Sequence, residues 1–103
     1  MKTIEINENT IKMFVDKLNR ECYKRFDSTL ENDDFYKKYG SLYDFKFAYY
    51  DDVPNNWLIY DDNGTFDWFE DTFCRKLIDE LLKKNGWYGE PCHSYCDFCL
   101  EYL

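Results

Sequence analysis

Three cysteines and the only histidine of the chain lie within eight residues near the carboxyl terminus, at Cys92, His93, Cys96 and Cys99. Thiolate and imidazole groups are the ligands that zinc prefers, and Cys74 is a further candidate. On a helix, Cys92 and Cys96 would lie one turn apart, as would Cys96 and Cys99. Structural zinc usually joins two separate segments, however, and the chain has no second CxxC motif. We therefore expect these thiols to serve as small core groups, and we predict no metal and no cofactor.

The spacing Cys92-x-x-x-Cys96-x-x-Cys99 resembles the iron–sulfur motif of radical S-adenosylmethionine enzymes. The resemblance covers these eight residues and no more of the chain. That family carries its motif early in a large barrel domain, whereas four residues follow Cys99 here. The motif lacks the context that would assign an iron–sulfur cluster.

Other catalytic patterns are incomplete. Cys92 and His93 are adjacent, so on a helix their side chains diverge and the base does not reach the nucleophile. The segment 61–67 resembles a calcium loop, but Phe66 stands where an EF-hand needs glycine. The four glycines form no loop that would cradle a phosphate. We predict no catalytic residues and no enzymatic activity.

Length and composition indicate which general class of protein this is. The 103 residues indicate one domain spanning 1–103, and the aromatic share of 21% predicts a packed core. The amino terminus lacks the apolar segment of a secretory signal, and no apolar run approaches the length of a membrane span. We expect a cytoplasmic protein with reduced cysteines.

The acidic residues are concentrated in one part of the sequence. Net charge is −8, with 21 acids against 13 bases, and the segment 44–71 holds eight acids and one base, Lys46. Such a charge disfavours binding to nucleic acid or to an anionic membrane, and favours a basic protein partner. Aromatic residues between the acids are typical interface anchors. The predicted partner-binding residues are Asp44, Tyr50, Asp51, Asp52, Trp57, Tyr60, Asp61, Asp62, Asp67, Glu70 and Asp71.

A simpler interpretation of the same residues stays open. Asp and Asn are ordinary turn residues, and Glu70 and Asp71 are residue types that a helix amino terminus prefers. On this interpretation the acids shape local structure and bind nothing.

The amino-terminal half predicts helix and strand in turn. Alternation at Ile4 and Ile6 allows a short first strand, and apolar residues at helical spacing then predict a helix over 8–26, capped by Asn7 or Asn9. Residues 27–40 allow a short helical turn. From Tyr43 to Tyr50 the period changes to two, which indicates a half-buried strand.

The carboxy-terminal half is less uniform. Residues 57–60 indicate a second strand, and Asn63-Gly64 is a hairpin signal, so that 65–69 is either a third strand or the start of a helix. A helix covers about 70–84, and a last helix begins near Pro91. The predicted fold is α+β, with a two- or three-stranded antiparallel sheet packed against about three helices.

In size, acidity and aromatic content, the chain resembles the small inhibitors that phages direct against host nucleases, the anti-CRISPR and anti-restriction proteins. The residues behind this resemblance are the acids of segment 44–71 with the tyrosines and tryptophans between them. The resemblance implies a mimic of nucleic acid that fills the groove of a basic nuclease, such as a CRISPR effector or a restriction enzyme. Two alternatives remain: an immunity protein for a nuclease toxin, and a zinc-stabilised structural or adaptor module built on the carboxy-terminal cysteines.

Overall fold

The computed structural model describes residues 2–26 and 40–103. The short helical turn predicted within 27–40 falls almost wholly outside these residues. The described part contains two α-helices, four strands and a 3₁₀ turn at Pro54–Asn56. The helices and strands are α1 at Glu8–Arg25, β1 at Phe45–Tyr49, β2 at Trp57–Asp61, α2 at Thr72–Lys84, β3 at Trp87–Glu90 and β4 at Asp97–Tyr102.

The four strands form one antiparallel sheet in the order β1-β2-β4-β3. The predicted α+β class and the antiparallel sheet are confirmed. The predicted detail is wrong, because the described residues hold four strands instead of two or three, and two α-helices instead of about three.

Helix α1 follows the sequence prediction closely. Asn7, not Asn9, is its cap: the Asn7 side chain accepts a hydrogen bond from the Thr10 amide, and the Thr10 hydroxyl accepts one from the Asn7 amide. This reciprocal arrangement satisfies two backbone donors that the first helical turn leaves free. The apolar stripe from Ile11 to Cys22 is buried as its helical spacing predicts.

The strand predicted at Ile4 and Ile6 is wrong. The Ile4 amide donates to the carbonyl of Asn85 (2.9 Å), just beyond the end of α2. The Trp87 indole N–H donates to the Ile4 carbonyl (2.7 Å). The amino-terminal segment therefore lies against the junction of α2 and β3, where its backbone groups are satisfied without strand pairing.

Both helices pack on the same face of the sheet. Alternate residues of the strands, among them Phe45, Ile59, Phe98 and Trp87, are buried against the helices in the main core. The opposite face carries a small second cluster of Val53, Leu58 and Cys99, with Cys92 packed against it. Side chains from the two faces of the sheet thus enter two different environments.

The segment 65–69 is neither a strand nor the start of a helix, so both predictions for it are wrong. Helix α2 begins at Thr72, where the Asp71 carboxylate caps it by accepting from the Cys74 amide (2.8 Å). It ends at Lys84, and Gly86 follows with a φ of +78°, the left-handed conformation that favours glycine after a helix. The predicted end at Asn85-Gly86 is confirmed.

The last helix predicted from Pro91 is also wrong. The chain instead forms the β3–β4 hairpin, in which Trp87 pairs with Tyr102 and Glu90 with Cys99. Phe98 and Leu100 face the main core, while Cys99 between them faces the second cluster. In the part of the chain that the structure describes, no helix is both long and apolar enough to cross a membrane.

Candidate functional site

Charge is segregated between the two layers of the fold. Helices α1 and α2 carry nine Lys and Arg residues against five Asp and Glu, a net of +4. Residues 40–71 and 85–103, which form the sheet and its connections, carry eleven acids against the single base Lys46, a net of −10. The sheet layer is therefore the strongly anionic part of the described structure.

Asp61 is not available to a partner, because it is buried (5% exposed) at the end of β2. Its Oδ2 accepts hydrogen bonds from the Thr65 amide (2.9 Å), the Thr65 hydroxyl (2.8 Å) and the Phe66 amide (2.8 Å). Its Oδ1 accepts from the amides of Asp44 (2.9 Å) and Asn63 (3.2 Å). One carboxylate thus closes the loop after β2 and joins it to the start of β1.

Asp67 and Asp71 combine a structural role with partial exposure. Asp67 Oδ1 accepts from the amides of Phe69 (2.9 Å) and Glu70 (3.1 Å). Asp71 caps α2 and also accepts a hydrogen bond from the Tyr43 hydroxyl. Burial of the phenol is the main cause, and this hydrogen bond the second, that raises the pKa of Tyr43 well above its ordinary value of 10.0. For these residues the simpler interpretation of acids as builders of local structure holds at least in part.

At the end of the sheet where β1 begins and β2 ends, Asp44 and Asp62 are about half exposed. Lys46 lies between them, with Nζ 3.0 Å from Asp62 Oδ2 and 3.9 Å from Asp44 Oδ2. The hydrogen bond to Asp62 and the charge of both carboxylates raise the pKa of Lys46. Tyr60 is half buried and pairs with Lys46 across the strands. This group keeps one net negative charge.

At the opposite end, Asp51 and Asp52 are exposed in the turn between β1 and β2. His93 Nε2 lies 3.1 Å from Asp52 Oδ2, and its ring packs edge-on against Tyr50 at 5.3 Å between centroids. The two acidic groups are separated by the five residues of β2, or about 16 Å at roughly 3.3 Å per residue. Trp57 is half buried between Phe47 and Tyr49 and offers only part of its ring.

The carboxy-terminal cysteines do not converge. Cys99 is buried on β4 with Cys92 beside it, whereas the Cys96 thiol points to the Gly64 carbonyl (3.9 Å). Burial, together with a hydrogen bond to Cys99, raises the pKa of the Cys92 thiol, and burial also raises that of Cys96. Within residues 2–26 and 40–103, no three His, Cys, Asp or Glu side chains are grouped so as to hold a metal ion.

Sequence reasoning missed three strongly exposed aromatic residues: Phe69 (62%), Phe73 (76%) and Tyr95 (63%). Phe69 and Phe73 share a helical spacing with Phe66, Leu77 and Leu81, a pattern that predicts a common helix face. That spacing does not apply to Phe69, because the helix begins only at Thr72. Tyr95 shares a helical spacing with Cys99 and Leu103, which predicts a common helix face, but this part of the chain forms a β-hairpin instead. Exposed aromatic residues next to acids are therefore found at the Asp67–Glu70 turn as well as at Tyr50.

A groove of about 380 Å³ lies on the helical side, between the amino-terminal segment, α1 and α2. Its lining combines the apolar Ile4, Phe14 and Leu81 with the cationic Lys17 and Arg20. None of the predicted partner-binding residues lines it, so it is separate from the acidic groups of the sheet layer.

Comparison with protein-family models, with curated proteins and with solved structures finds no match.

Proposed function

We propose that this protein binds and inhibits a basic nucleic-acid-binding protein. Exposed acids of the sheet layer would occupy the groove in which that protein binds DNA or RNA. The observation that carries the proposal is the segregation of charge, with a net of −10 on the sheet layer and +4 on the helices. A nuclease groove is lined with Lys and Arg that contact phosphates, and carboxylates can take the place of those phosphates.

Four exposed acids support this role best. Asp44 and Asp62 lie at one end of β2, and Asp51 and Asp52 lie at the other. Two groups of carboxylates about 16 Å apart present charge at both ends of a strand, with Tyr60 beside the first group and Tyr50 beside the second. Asp61 is excluded from the proposed contact surface, since it is buried and its carboxylate accepts hydrogen bonds from nearby backbone amides.

The proposed target is a CRISPR effector nuclease or a restriction enzyme. The protein would then act in the cytoplasm, in that of the host cell if a phage encodes it. A nuclease toxin with a dedicated immunity protein presents the same basic groove, and only the identity of the target separates the two roles. Blocking a groove requires no catalytic residue and no cofactor. We do not propose a zinc-stabilised module, because among the described residues the Cys96 thiol lies at the Gly64 carbonyl, apart from Cys92 and Cys99.

A pair of variants tests the proposal. The sheet variant replaces Asp44, Asp51, Asp52 and Asp62 by Asn. The helix variant makes the same change in net charge on the other layer, by replacing the exposed Glu8, Asp16, Asp79 and Glu80 with their amides. Any difference between the two then reports the position of the charge and not its total.

The wild-type protein is immobilised on a resin and incubated with a lysate that contains guide-loaded CRISPR effectors and restriction nucleases. Bound proteins are eluted with increasing salt and identified by mass spectrometry. We expect a basic nuclease that elutes as the salt screens the contacts and that nucleic acid displaces. The sheet variant should bind it about tenfold more weakly, a loss of about 1.4 kcal/mol, while the helix variant stays close to wild type. Equal affinities for the two variants would contradict the proposal.

A further inference from the structure

Phe69 and Tyr95 form an aromatic pair on the surface, although they belong to segments far apart in the sequence. Their ring centroids are 5.5 Å apart with an angle of 82° between the planes, an edge-to-face arrangement. Phe69 is 62% exposed and Tyr95 is 63% exposed. Both rings therefore leave most of their apolar surface in water, and an exposed apolar patch is more informative than an exposed single residue.

Backbone hydrogen bonds hold the pair in place without help from a partner. The amide of Trp68 donates to the Tyr95 carbonyl (2.8 Å), which joins the two segments directly beside the rings. Asp67 Oδ1 accepts hydrogen bonds from the amides of Phe69 and Glu70 and so fixes the turn that runs from Asp67 to Glu70. A partner that binds here would pay little entropy to order the surface.

The two rings and two carboxylates together line a shallow notch of about 330 Å³, formed by Asp67, Phe69, Glu70 and Tyr95. Among residues 2–26 and 40–103, no Lys or Arg forms an ion pair with Asp67 or Glu70. The notch therefore combines aromatic rings with carboxylates that no described cation neutralises. Both components attract a cation, the rings through their quadrupole and the carboxylates through their charge.

We infer that this notch binds an arginine side chain of the basic partner, with the guanidinium against the aromatic rings and its N–H groups directed to the carboxylates. Arginine fits better than lysine because its planar group stacks on a ring and presents several donors at once. The chain makes the same kind of contact nearby, where the Arg75 guanidinium carbon lies 4.8 Å from the centre of the Trp68 ring. This inference rests on the proposed function, since it names one contact by which the basic partner is recognised.

The contact can be measured without the partner. The peptide acetyl-Gly-Arg-Gly-amide is titrated into the whole protein at low salt, and the ring protons of Phe69 and Tyr95 and the amide of Glu70 are followed by NMR. Matched peptides carry citrulline, which keeps the shape without the charge, or lysine in place of arginine. We expect saturable shifts with a dissociation constant of about 1–10 mM for arginine, at least threefold weaker binding for lysine, and none for citrulline.

Variants locate the response. Phe69→Ala and Tyr95→Ala should each reduce the shifts about fivefold or more and keep the native spectrum elsewhere, because both side chains are mostly exposed. Phe73→Ala removes a third exposed ring that does not line the notch, and it should leave binding within about twofold. Absence of saturable shifts, equal shifts with citrulline, or full binding by Phe69→Ala would overturn the inference.

Failure of the notch is distinguishable from failure of the proposed function. If Phe69→Ala still captures a basic nuclease at wild-type affinity while the sheet variant does not, the notch is rejected and groove binding stands. If the arginine peptide binds the notch but the sheet and helix variants bind the nuclease equally, the notch stands and the proposed groove-blocking surface is rejected.

Discussion

Asn19 of α1 makes both backbone hydrogen bonds of Phe45 on the edge strand β1. The Phe45 amide donates to Asn19 Oδ1 (2.8 Å), and Asn19 Nδ2 donates to the Phe45 carbonyl (2.9 Å). β1 lies at the edge of the sheet, and these two groups face away from β2. The side-chain amide thus takes the place of a neighbouring strand at this residue and covers part of an edge that would otherwise be open to strand addition.

Replacing Asn19 by alanine should therefore destabilise the fold. Two backbone groups lose their partner in a partly buried position, and we expect a loss of about 1–3 kcal/mol in the free energy of unfolding by urea. Asn9→Ala, at an exposed position on the same helix, is the control and should stay within about 0.5 kcal/mol of wild type. Equal stabilities for the two variants would show that the Asn19 contacts contribute nothing.

The neighbouring aspartates Asp61 and Asp62 should respond differently to the same substitution. Asp61→Asn puts an NH₂ group where the carboxylate accepts hydrogen bonds from several donors, and should cost about 2–4 kcal/mol of unfolding free energy. Asp62→Asn removes a half-exposed carboxylate that pairs with Lys46 at the surface, and it should cost no more than about 1 kcal/mol. Urea denaturation followed by tryptophan fluorescence measures both. A small effect at Asp61 would contradict its role as the anchor of the loop after β2.

Stability should decrease in alkaline solution. A hydrogen bond to Cys22 and burial together raise the pKa of Cys74 far above its ordinary value of 9.0. The folded state therefore keeps a proton that the unfolded state loses above about pH 9, and each such proton costs at most about 1.4 kcal/mol per pH unit as the pH rises. Tyr43, whose pKa is also raised, adds to the slope above about pH 10.

Unfolding free energies measured between pH 7 and 11 for wild type, Cys74→Ala and Tyr43→Phe test this origin. Each variant should be less stable than wild type at pH 7 but should lose less stability as the pH increases. Parallel curves for all three proteins would place the alkaline loss elsewhere.

Thiol labelling separates core cysteines from metal ligands. Cys22, Cys74 and Cys99 are buried, whereas Cys92 and Cys96 are partly accessible. A maleimide should label Cys92 and Cys96 first in the native protein. Labelling should accelerate as the pH increases towards 9, because only the thiolate reacts and both pKa values are raised. A chelator should change nothing. Joint protection of Cys92, Cys96 and Cys99 that a chelator removes would restore the zinc-stabilised module.

The helices and the first two strands followed from the sequence because their patterns are long or flanked by clear signals. Helix α1 combines an Asn cap with an apolar stripe of helical spacing, and α2 ends where Asn85-Gly86 predicts. The β3–β4 hairpin did not follow, because the apolar run around Cys99 fits either period over so few residues. In β4, Phe98 and Leu100 lie in the main core, and Cys99 lies in the second cluster on the opposite face. Because both faces are buried, the strand lacks the alternation of apolar and polar residues that would identify it in the sequence.

The Asn63-Gly64 signal failed for a different reason. The turn forms, and Gly64 has a φ of +68°, but Asp61 binds the amides that follow and closes the loop on itself. No strand then returns along β2 from this turn, and β4 takes that place instead. The acidic region was predictable from composition, whereas the division into buried anchors such as Asp61 and exposed groups such as Asp62 depends on tertiary contacts.

The separation of charge between the helical and sheet layers gives the described part of the molecule an electric dipole in addition to its net charge. In the field of a cationic surface, such a dipole experiences a torque, which turns the sheet towards that surface and the helices away before any side chains touch. A larger fraction of encounters then begins in the productive orientation. This increases the association rate constant more than it lengthens the lifetime of the complex. It fades once ions shorten the range of the field to about 8 Å at physiological salt.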